Sequence, residues 1–433
     1  MNRPNILYLH SHDTGRYVQP YGYAVPTPNL QRLAEEGVLF RQAFCAAPTC
    51  SPSRAALLTG QAAHSSGMIG LAHRGFVLKD YSQHIVHTLR KAGYHSVLIG
   101  VQHVTQDAAR IGYDWVVPLE DRRGETVAAA AVDWLKEAPG APSFLDVGFF
   151  ETHRQFRVPG PAEDARYCLP PAPLPDTPET RQDMAAFKAS ARALDKAMGS
   201  VFEALDESGL AENTLVVCTT DHGLAFPYMK CNLTDHGLGV MLIMRGPTGF
   251  SGGRVCDALV SQIDIFPAIC DLLEIERPAW LQGKSIMSWI RGEVEEINDE
   301  IFAEVTYHAA YEPQRAVRTR RWKYIRRYGD RTAPVLPNCD DSPGKEVWLR
   351  YGWRERPVAA EQLYDLAFDP NETHNLAGAP SMTPALEEMR SRLDRWMRET
   401  DDPLLQGPVP APQGAKVNDA NGLSPREPAQ VVG

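Results

Sequence analysis

The stretch Thr214–Gly223, TLVVCTTDHG, decides the architecture. Its first seven residues are apolar or β-branched and read as a strand, which runs without a linker into Asp221-His222-Gly223. Working outward, NILYLH near the start reads as a second strand. TPNLQRLAEEG reads as a helix with Thr27 as N-cap, Pro28 in the first turn and Gly37 as the stop. SQHIVHTLRKAG is another helix, ended by Gly93, and YHSVLIG follows it as a strand; SFLDVGFF is a further strand. The long run from Thr177 to Gly209 is a helix, again opened by Thr-Pro. Strands alternating with amphipathic helices predict an α/β fold: a mostly parallel central sheet with helices on both faces.

Near residue 295 the texture changes. EIFAEVTYH, RAVRTR, RWKYIRR and EQLYDL read as short strands joined by turns, and MTPALEEMRSRLDRWMRET as one helix. The expected division is a catalytic α/β domain over 1–295, a small antiparallel sheet with one packed helix over 296–403, and an extended tail over 404–433. That tail, rich in Pro, Gly, Ala and Asn, has no periodicity. It is expected to be pinned on a neighbouring subunit, which implies a homo-oligomer.

The net charge of -10 gives no basic footprint for wholesale nucleic-acid binding. The one basic cluster, RTRRWKYIRR from Arg318 to Arg327, reads as a solvated strand pair. Eight cysteines without a CxxC pair argue against a zinc ribbon or a disulfide framework. No segment is apolar enough to span a membrane, and MNRPNILYLH enters a strand with no leader-like region before it; a cytoplasmic location is the expectation.

In parallel sheets, ligands bind beyond the carboxyl ends of the strands. Here those ends carry His10-Ser11-His12-Asp13, then His103, then Glu151-Thr152-His153, then Asp221-His222. A single histidine there is ordinarily structural; four strands delivering His, Asp and Glu to one rim point to a functional site. His12, Asp13, Asp221 and His222 form two carboxylate–imidazole pairs able to hold one divalent cation. Carboxylates alone favour Ca or Mg, and two imidazoles tilt the preference toward Mn, Fe or Zn. Cys50 stands just before a helix, where free amide groups favour an anion, with Arg54 one turn on; a low-pKa thiolate is one outcome.

Cys50-Ser51-Pro52-Ser53-Arg54, inside CSPSRAALLTG and followed by His64 and Gly67-Met68, resembles the C-x-P-S-R signature of type I sulfatases, in the alkaline phosphatase superfamily. PNILYLH, TPNLQRLAEEGVLFRQAF, DHG followed by Lys230 and DHGLGVMLIMRGP, SQIDIFPAICDLLEI, LQGKSI, RAVRTRRWKYI and EQLYDLAFDPNETHNLA resemble further family segments in the expected order, from about residue 4 to 400. Around the nucleophile and FETHR the likeness is to heparan N-sulfatases.

The resemblance implies an alkaline-phosphatase-like fold and hydrolysis of a sulfate ester or sulfamate on a small or saccharide substrate. It also implies conversion of Cys50 to formylglycine by a formylglycine-generating enzyme. A hydroxyl of the aldehyde hydrate attacks sulfur in line, the alcohol departs, and deprotonation of the second hydroxyl expels sulfate. It places His12, Asp13, Asp221, His222 and modified Cys50 on a metal (Ca by resemblance, Mn or Zn by the two imidazoles). Arg54 steadies the hydrate, Lys230 and His153 bind sulfate oxygens, and His103 serves the second hydroxyl or the leaving group.

Two positions depart from the pattern. Val101 stands where sulfatases carry a lysine, and His12 where many carry Asp. Phosphonate monoester and phosphodiester hydrolases share the scaffold and are the alternative activity; a silent anion-binding member is a third. His236 either lines the substrate pocket beside Lys230 or does not, and Tyr307 and His308 stand near the expected rim. Cys45, Cys218, Cys256 and Cys270 read as core, and His84 and His87 as surface or packing residues on a helix. Residues 154–180 and 328–358, without readable pattern, are the expected specificity loops.

Overall fold

The computed structural model describes residues 3–137 and 142–433; Met1, Asn2 and residues 138–141 lie outside it. Eight strands form the main sheet: β1 Asn5–Ser11, β2 Val38–Phe44, β3 His95–Gly100, β4 Trp115–Val116, β5 Ser143–Gly148, β6 Thr214–Thr220, β7 Leu242–Arg245 and β8 Arg254–Ser261. Their order is β4-β3-β5-β1-β6-β7-β2-β8. Every pairing is parallel except those of β7, which runs against β6 and β2.

Side chains alternate across each strand, so the sheet feeds two apolar layers. Leu7, Leu9, Val97, Leu145 and Val216 face one side, against Val127 and Trp134 of the helix Gly124–Lys136 and Leu194, Met198 and Phe202 of the helix Pro178–Glu207. Ile6, Tyr8, Leu98, Phe144 and Val217 face the other, against Leu57, Leu58, Ile85, Leu89, Phe266 and Ile269. Each such fully buried aliphatic or aromatic side chain contributes about 1.5–3 kcal/mol. Helices on both faces of a mostly parallel sheet is the arrangement the alternating pattern predicts.

The second sheet is antiparallel, in the order β12-β11-β10-β9, from β9 Glu300–Tyr307, β10 Tyr311–Thr319, β11 Trp322–Arg327 and β12 Glu361–Asp365. The helix Thr383–Glu399 covers it, laying Leu386, Met389, Leu393 and Met397 on Val317, Tyr324 and Leu363. The basic cluster does form a strand pair, but it is not wholly solvated. Arg318 and Lys323 are buried and both pair with Asp235, at 2.9 and 2.6 Å.

The last thirty residues also have more order than their composition predicts. They form a short ribbon, β13 Lys416–Val417 with β14 Gln430–Val431. They fold back on their own chain: Asn418 N donates to Ala309 O (2.8 Å), Arg74 donates to Asn418 Oδ1 (2.7 Å), and Arg331 donates to Ala420 O (2.8 Å). No helix among the described residues is long and apolar enough to cross a membrane.

Candidate active site

The rim of the sheet is assembled from strand ends. β1 continues into His12 and Asp13, and Asp13 turns through the left-handed region at φ 51. β6 continues into Asp221 and His222. The two turns are tied together because Asp13 N and His222 N both donate to Asp221 Oδ1, at 2.8 and 2.9 Å. That leaves Asp221 Oδ2 facing His12 Nδ1 (3.0 Å) and Arg54 Nη2 (3.0 Å). His222 Nε2 lies 3.3 Å from Asp13 Oδ1 and 3.4 Å from Cys50 Sγ. Among the described residues, His12, Asp13, Cys50 and Asp221 each offer a ligand atom, all within 4.8 Å of one another and all buried.

These residues fit a cation. Both ring nitrogens of His12 and Oδ1 of Asp13 are buried and make no hydrogen bond. His12 Nδ1 and Asp221 Oδ2 sit 3.0 Å apart without hydrogen-bond alignment. Burial and the neighbouring Arg54 push His12 well below its ordinary value, against the pull of Asp221, which leaves it a neutral imidazole with a lone pair to give. Burial works against ionising Asp221, but His222, Arg54 and His12 together hold its carboxyl well below the usual range. The clustered donors are two carboxylates, one imidazole and the Cys50 sulfur, with His222 Nε2 beside them at 3.3 Å from Asp13 Oδ1.

Cys50 opens the helix Cys50–Thr59, every residue of which is buried. Burial pushes the Cys50 thiol up, and Asp13 and Asp221 add to this against Lys230 and Arg54, so of the outcomes open to it a low-pKa thiolate is disfavoured. Arg54 is anchored beneath, donating to Ser11 O (2.9 Å) and Asp221 Oδ2 and meeting the His10 ring at Nδ1. His10 in turn pairs with Asp146 (2.9 Å), which accepts from the Tyr113 hydroxyl. This buried chain fixes the guanidinium. Gly148 makes room for it: a Cβ there would meet Val101 O at 1.9 Å and the His10 ring at 2.5 Å.

Lys230 Nζ is held between Asp13 Oδ2 and Asp340 Oδ2, each at 3.0 Å. Burial works against its charge, but these two carboxylates raise it well above its ordinary value. His153 stacks on Phe150 (ring centroids 4.8 Å) and stands edge-on to His12 (5.5 Å). His103, at φ 55, lies 5.8 Å from His12, and its Nε2 meets His73 Nδ1 at 2.9 Å. Burial, His73 and Arg54 push it well below its ordinary value.

The structure therefore brings His12, Asp13, Cys50, Arg54, His103, His153, Asp221, His222 and Lys230 to one rim. His236 is not with them. It bonds Tyr17 (3.0 Å) and lines a separate cavity whose walls include neither Lys230 nor Cys50. Val101 is buried, with its N–H on Gly148 O, so no cation replaces the expected lysine at that position. Sequence reasoning passed over Asp340, His73 and the His10–Asp146–Tyr113 chain. Asp340 lies in the patternless 328–358 stretch, and its only local signal is proximity to the Ser342-Pro343 helix start. His84 is fully buried as the N-cap of the helix Ile85–Lys91, a packing residue.

The fold and this cluster place the chain in a hydrolase class built on an α/β sheet, with Cys50 at a helix start among metal-type side chains. The sulfatase family profile matches residues 4–275, and a second, described as N-sulphoglucosamine sulphohydrolase, C-terminal, matches 222–347. The chain belongs to the sulfatase family and is a sulfuric ester hydrolase. It is 29% identical to human N-sulphoglucosamine sulphohydrolase (Homo sapiens), over 93% of this chain and 92% of that one. A 2-O GAG sulfatase superposes with a TM-score of 0.73 at 22% identity, covering 95% of each chain. A structure in complex with its substrate D-glucosamine-2-N,6-O-disulfate superposes with a TM-score of 0.73 at 18% identity, covering 94% of this chain and 99% of the other.

Proposed function

We propose that this sulfuric ester hydrolase cleaves a sulfate ester or sulfamate on a saccharide, through a formylglycine made from Cys50. One divalent cation would be held by His12, Asp13, Asp221 and His222, with Mn or Zn preferred over Ca. The observation that carries the reading is the clustering of buried metal-type donors around the side chain of residue 50, with His12 and Asp13 Oδ1 left without hydrogen bonds. The saccharide is supported by the relative that acts on N-sulphoglucosamine and by the neighbour bound to a disulfated glucosamine.

When present, the aldehyde hydrate supplies the nucleophilic oxygen and the cation supplies Lewis acidity. The chain's own side chains do the rest. Lys230 and His153 meet the sulfate oxygens and offset charge that grows in the transition state. Asp340 and Asp13 hold the Lys230 ammonium charged and aimed. Arg54, fixed by His10 and Ser11 O, steadies Asp221 and the first turn of the Cys50 helix. His103 is a neutral imidazole whose far nitrogen is set by His73, so it accepts the proton released at residue 50. The shielded, desolvated rim strengthens each of these interactions.

The test is to express the chain with a formylglycine-generating enzyme, digest it, and weigh the peptide containing residue 50. Hydrolysis of an aryl sulfate and of N-sulphoglucosamine is measured beside aryl phosphonate and phosphodiester substrates. The expected result is loss of sulfur and two hydrogens with gain of one oxygen at position 50, with a larger kcat/KM for the sulfur substrates. Activity from a preparation in which residue 50 remains a thiol, or a preference for the phosphorus substrates, would overturn the proposal.

A further inference from the structure

A second cavity of about 640 Å³ lies between the edge of the main sheet and the small antiparallel sheet. Its walls include Arg16, Tyr17, Tyr23, Asp235, His236 and Arg318, and none of the residues around Cys50. Three guanidiniums line it against two carboxylates. One of those carboxylates, Asp235, is already engaged by Arg318 (2.9 Å) and Lys323 (2.6 Å).

Arg16 is the unexplained member. Its Nε and Nη2 are buried and have no hydrogen-bond partner, and among the described residues it forms no ion pair. Its guanidinium stacks 4.4 Å from the Phe44 ring centroid, and Arg318 stacks on the same ring at 4.3 Å. It reaches this place only because position 239 is glycine: a Cβ there would meet Arg16 Nε at 2.4 Å, although Gly239 itself has an ordinary backbone. Beside it, with His236 Nδ1 accepting from the Tyr17 hydroxyl (3.0 Å), the neutral ring carries its proton on Nε2, which is buried and also without a partner. Burial and Arg16 push His236 down to about 4 against the pull of Asp235, so the ring is neutral at physiological pH. Tyr17 and Tyr23 lie tilted against each other on the same wall, ring centroids 4.3 Å apart.

Arg16 is half-buried, but buried guanidinium N–H groups without a partner are costly, and a planar fork with two free N–H groups matches an oxyanion. We propose that this cavity is a second, non-catalytic binding site for an oxyanion, a sulfate or carboxylate group, held by Arg16 and by Nε2–H of His236. The source is either the free sulfate product or an acidic group on a sugar unit away from the scissile bond; the tyrosine pair offers an apolar wall to a sugar ring. The backbone links this cavity to the catalytic turns. Gly15 N donates to His222 O (2.9 Å), and Gly223 N donates to Gly237 O (2.8 Å). The site stands apart from the catalytic reading and does not depend on it.

The experiment uses the full chain. Crystals of the unaltered protein are soaked in selenate and the selenium anomalous signal is mapped. A peak within hydrogen-bond reach of Arg16 and His236, separate from any peak at Lys230, is the expected result. Absence of that peak when the catalytic site is filled would overturn the proposal. Arg16→Met and, as a second variant, His236→Asn are each expected to weaken sulfate at this site about tenfold or more in titration, as for a lost charge-assisted hydrogen bond. Unchanged affinity in both overturns it as well. Kinetics separate the two sources. With Arg16→Met, aryl sulfate turnover stays as in the unaltered chain. A KM raised about tenfold for a sulfated hexasaccharide, with kcat kept, assigns the site to the saccharide; an unchanged KM with lost selenate assigns it to the free anion. A loss of aryl sulfate hydrolysis reports on the catalytic centre and is read apart from the anomalous peak.

Discussion

Lys230→Met is the most informative substitution in the catalytic rim. The ammonium lies 3.0 Å from both Asp13 and Asp340, with Lys230 and Asp13 buried and Asp340 partly exposed. Methionine keeps the aliphatic stem and removes only the charge, which leaves two carboxylates facing each other without a cation. Removing one partner of a buried ion pair costs about 3–5 kcal/mol, because the remaining charge is stranded rather than because the pair itself was worth that much. In metal-free protein held in chelator, the denaturation midpoint followed by far-UV circular dichroism should fall by that amount. Two rescues follow from the geometry. Asp340→Asn in the Lys230→Met background removes one stranded charge and should recover about 0.5–3 kcal/mol, measured as a double-mutant cycle. Adding Mn or Zn neutralises Asp13 and should recover stability in proportion to the logarithm of metal concentration. Activity should fall about 10²–10³-fold, as when one donor to a developing oxyanion is lost. A Lys230→Met protein within about 0.5 kcal/mol of the parent in chelator would refute the claim that this ammonium is what makes the two carboxylates tolerable.

Other expectations are independent of that site. His84 is pushed down to about 3 by burial, with His87 adding and Asp146 opposing, from an ordinary value of 6.5. The unfolded chain therefore takes up the proton first as the pH falls. The contribution of His84 to stability is complete above 6.5 and erodes between 6.5 and 3, by up to about 1.4 kcal/mol per pH unit. His84→Gln should flatten the acid limb of the stability profile by one proton, and an unaltered limb would show that the ring titrates freely. Leu393→Ala, under the small sheet, should cost about 2–5 kcal/mol in chemical unfolding; a cost below about 1 kcal/mol would mean the helix Thr383–Glu399 is not packed as described. Cys50→Ser should abolish turnover while metal content, read by elemental analysis, stays close to stoichiometric; full turnover from the serine variant would exclude an aldehyde at that position.

The architecture was legible because its signals are local and periodic. The strand Thr214–Thr220 and the helix Pro28–Glu36 that follows Thr27 declare themselves within a dozen residues. The catalytic rim was legible because parallel strands all end on one side, so His12, His103, His153 and Asp221 had to meet. What the sequence hid depends on distance in the chain. Asp340 joins Lys230 across 110 positions and sits in a stretch with no pattern. Arg318 and Lys323 look like surface charge until Asp235 is seen between them. The ribbon of the tail is held by hydrogen bonds to Arg74, Ala309 and Arg331 rather than by apolar periodicity, so composition alone read it as unstructured. His236 followed a second Asp-His-Gly that mimics the first, and only the fold separates the two.

The account rests on one cation meeting the side chain of residue 50 between the turns after β1 and β6. Diffraction at the absorption edge of Mn or Zn, from crystals of the co-expressed protein, tests this directly. The account predicts a single strong anomalous peak with protein ligands at about 2.0–2.2 Å from His12, Asp13, Asp221 and His222, and with an oxygen of modified residue 50 in the same shell. An active crystal whose metal lies elsewhere, or whose residue 50 points away from it, would contradict the account.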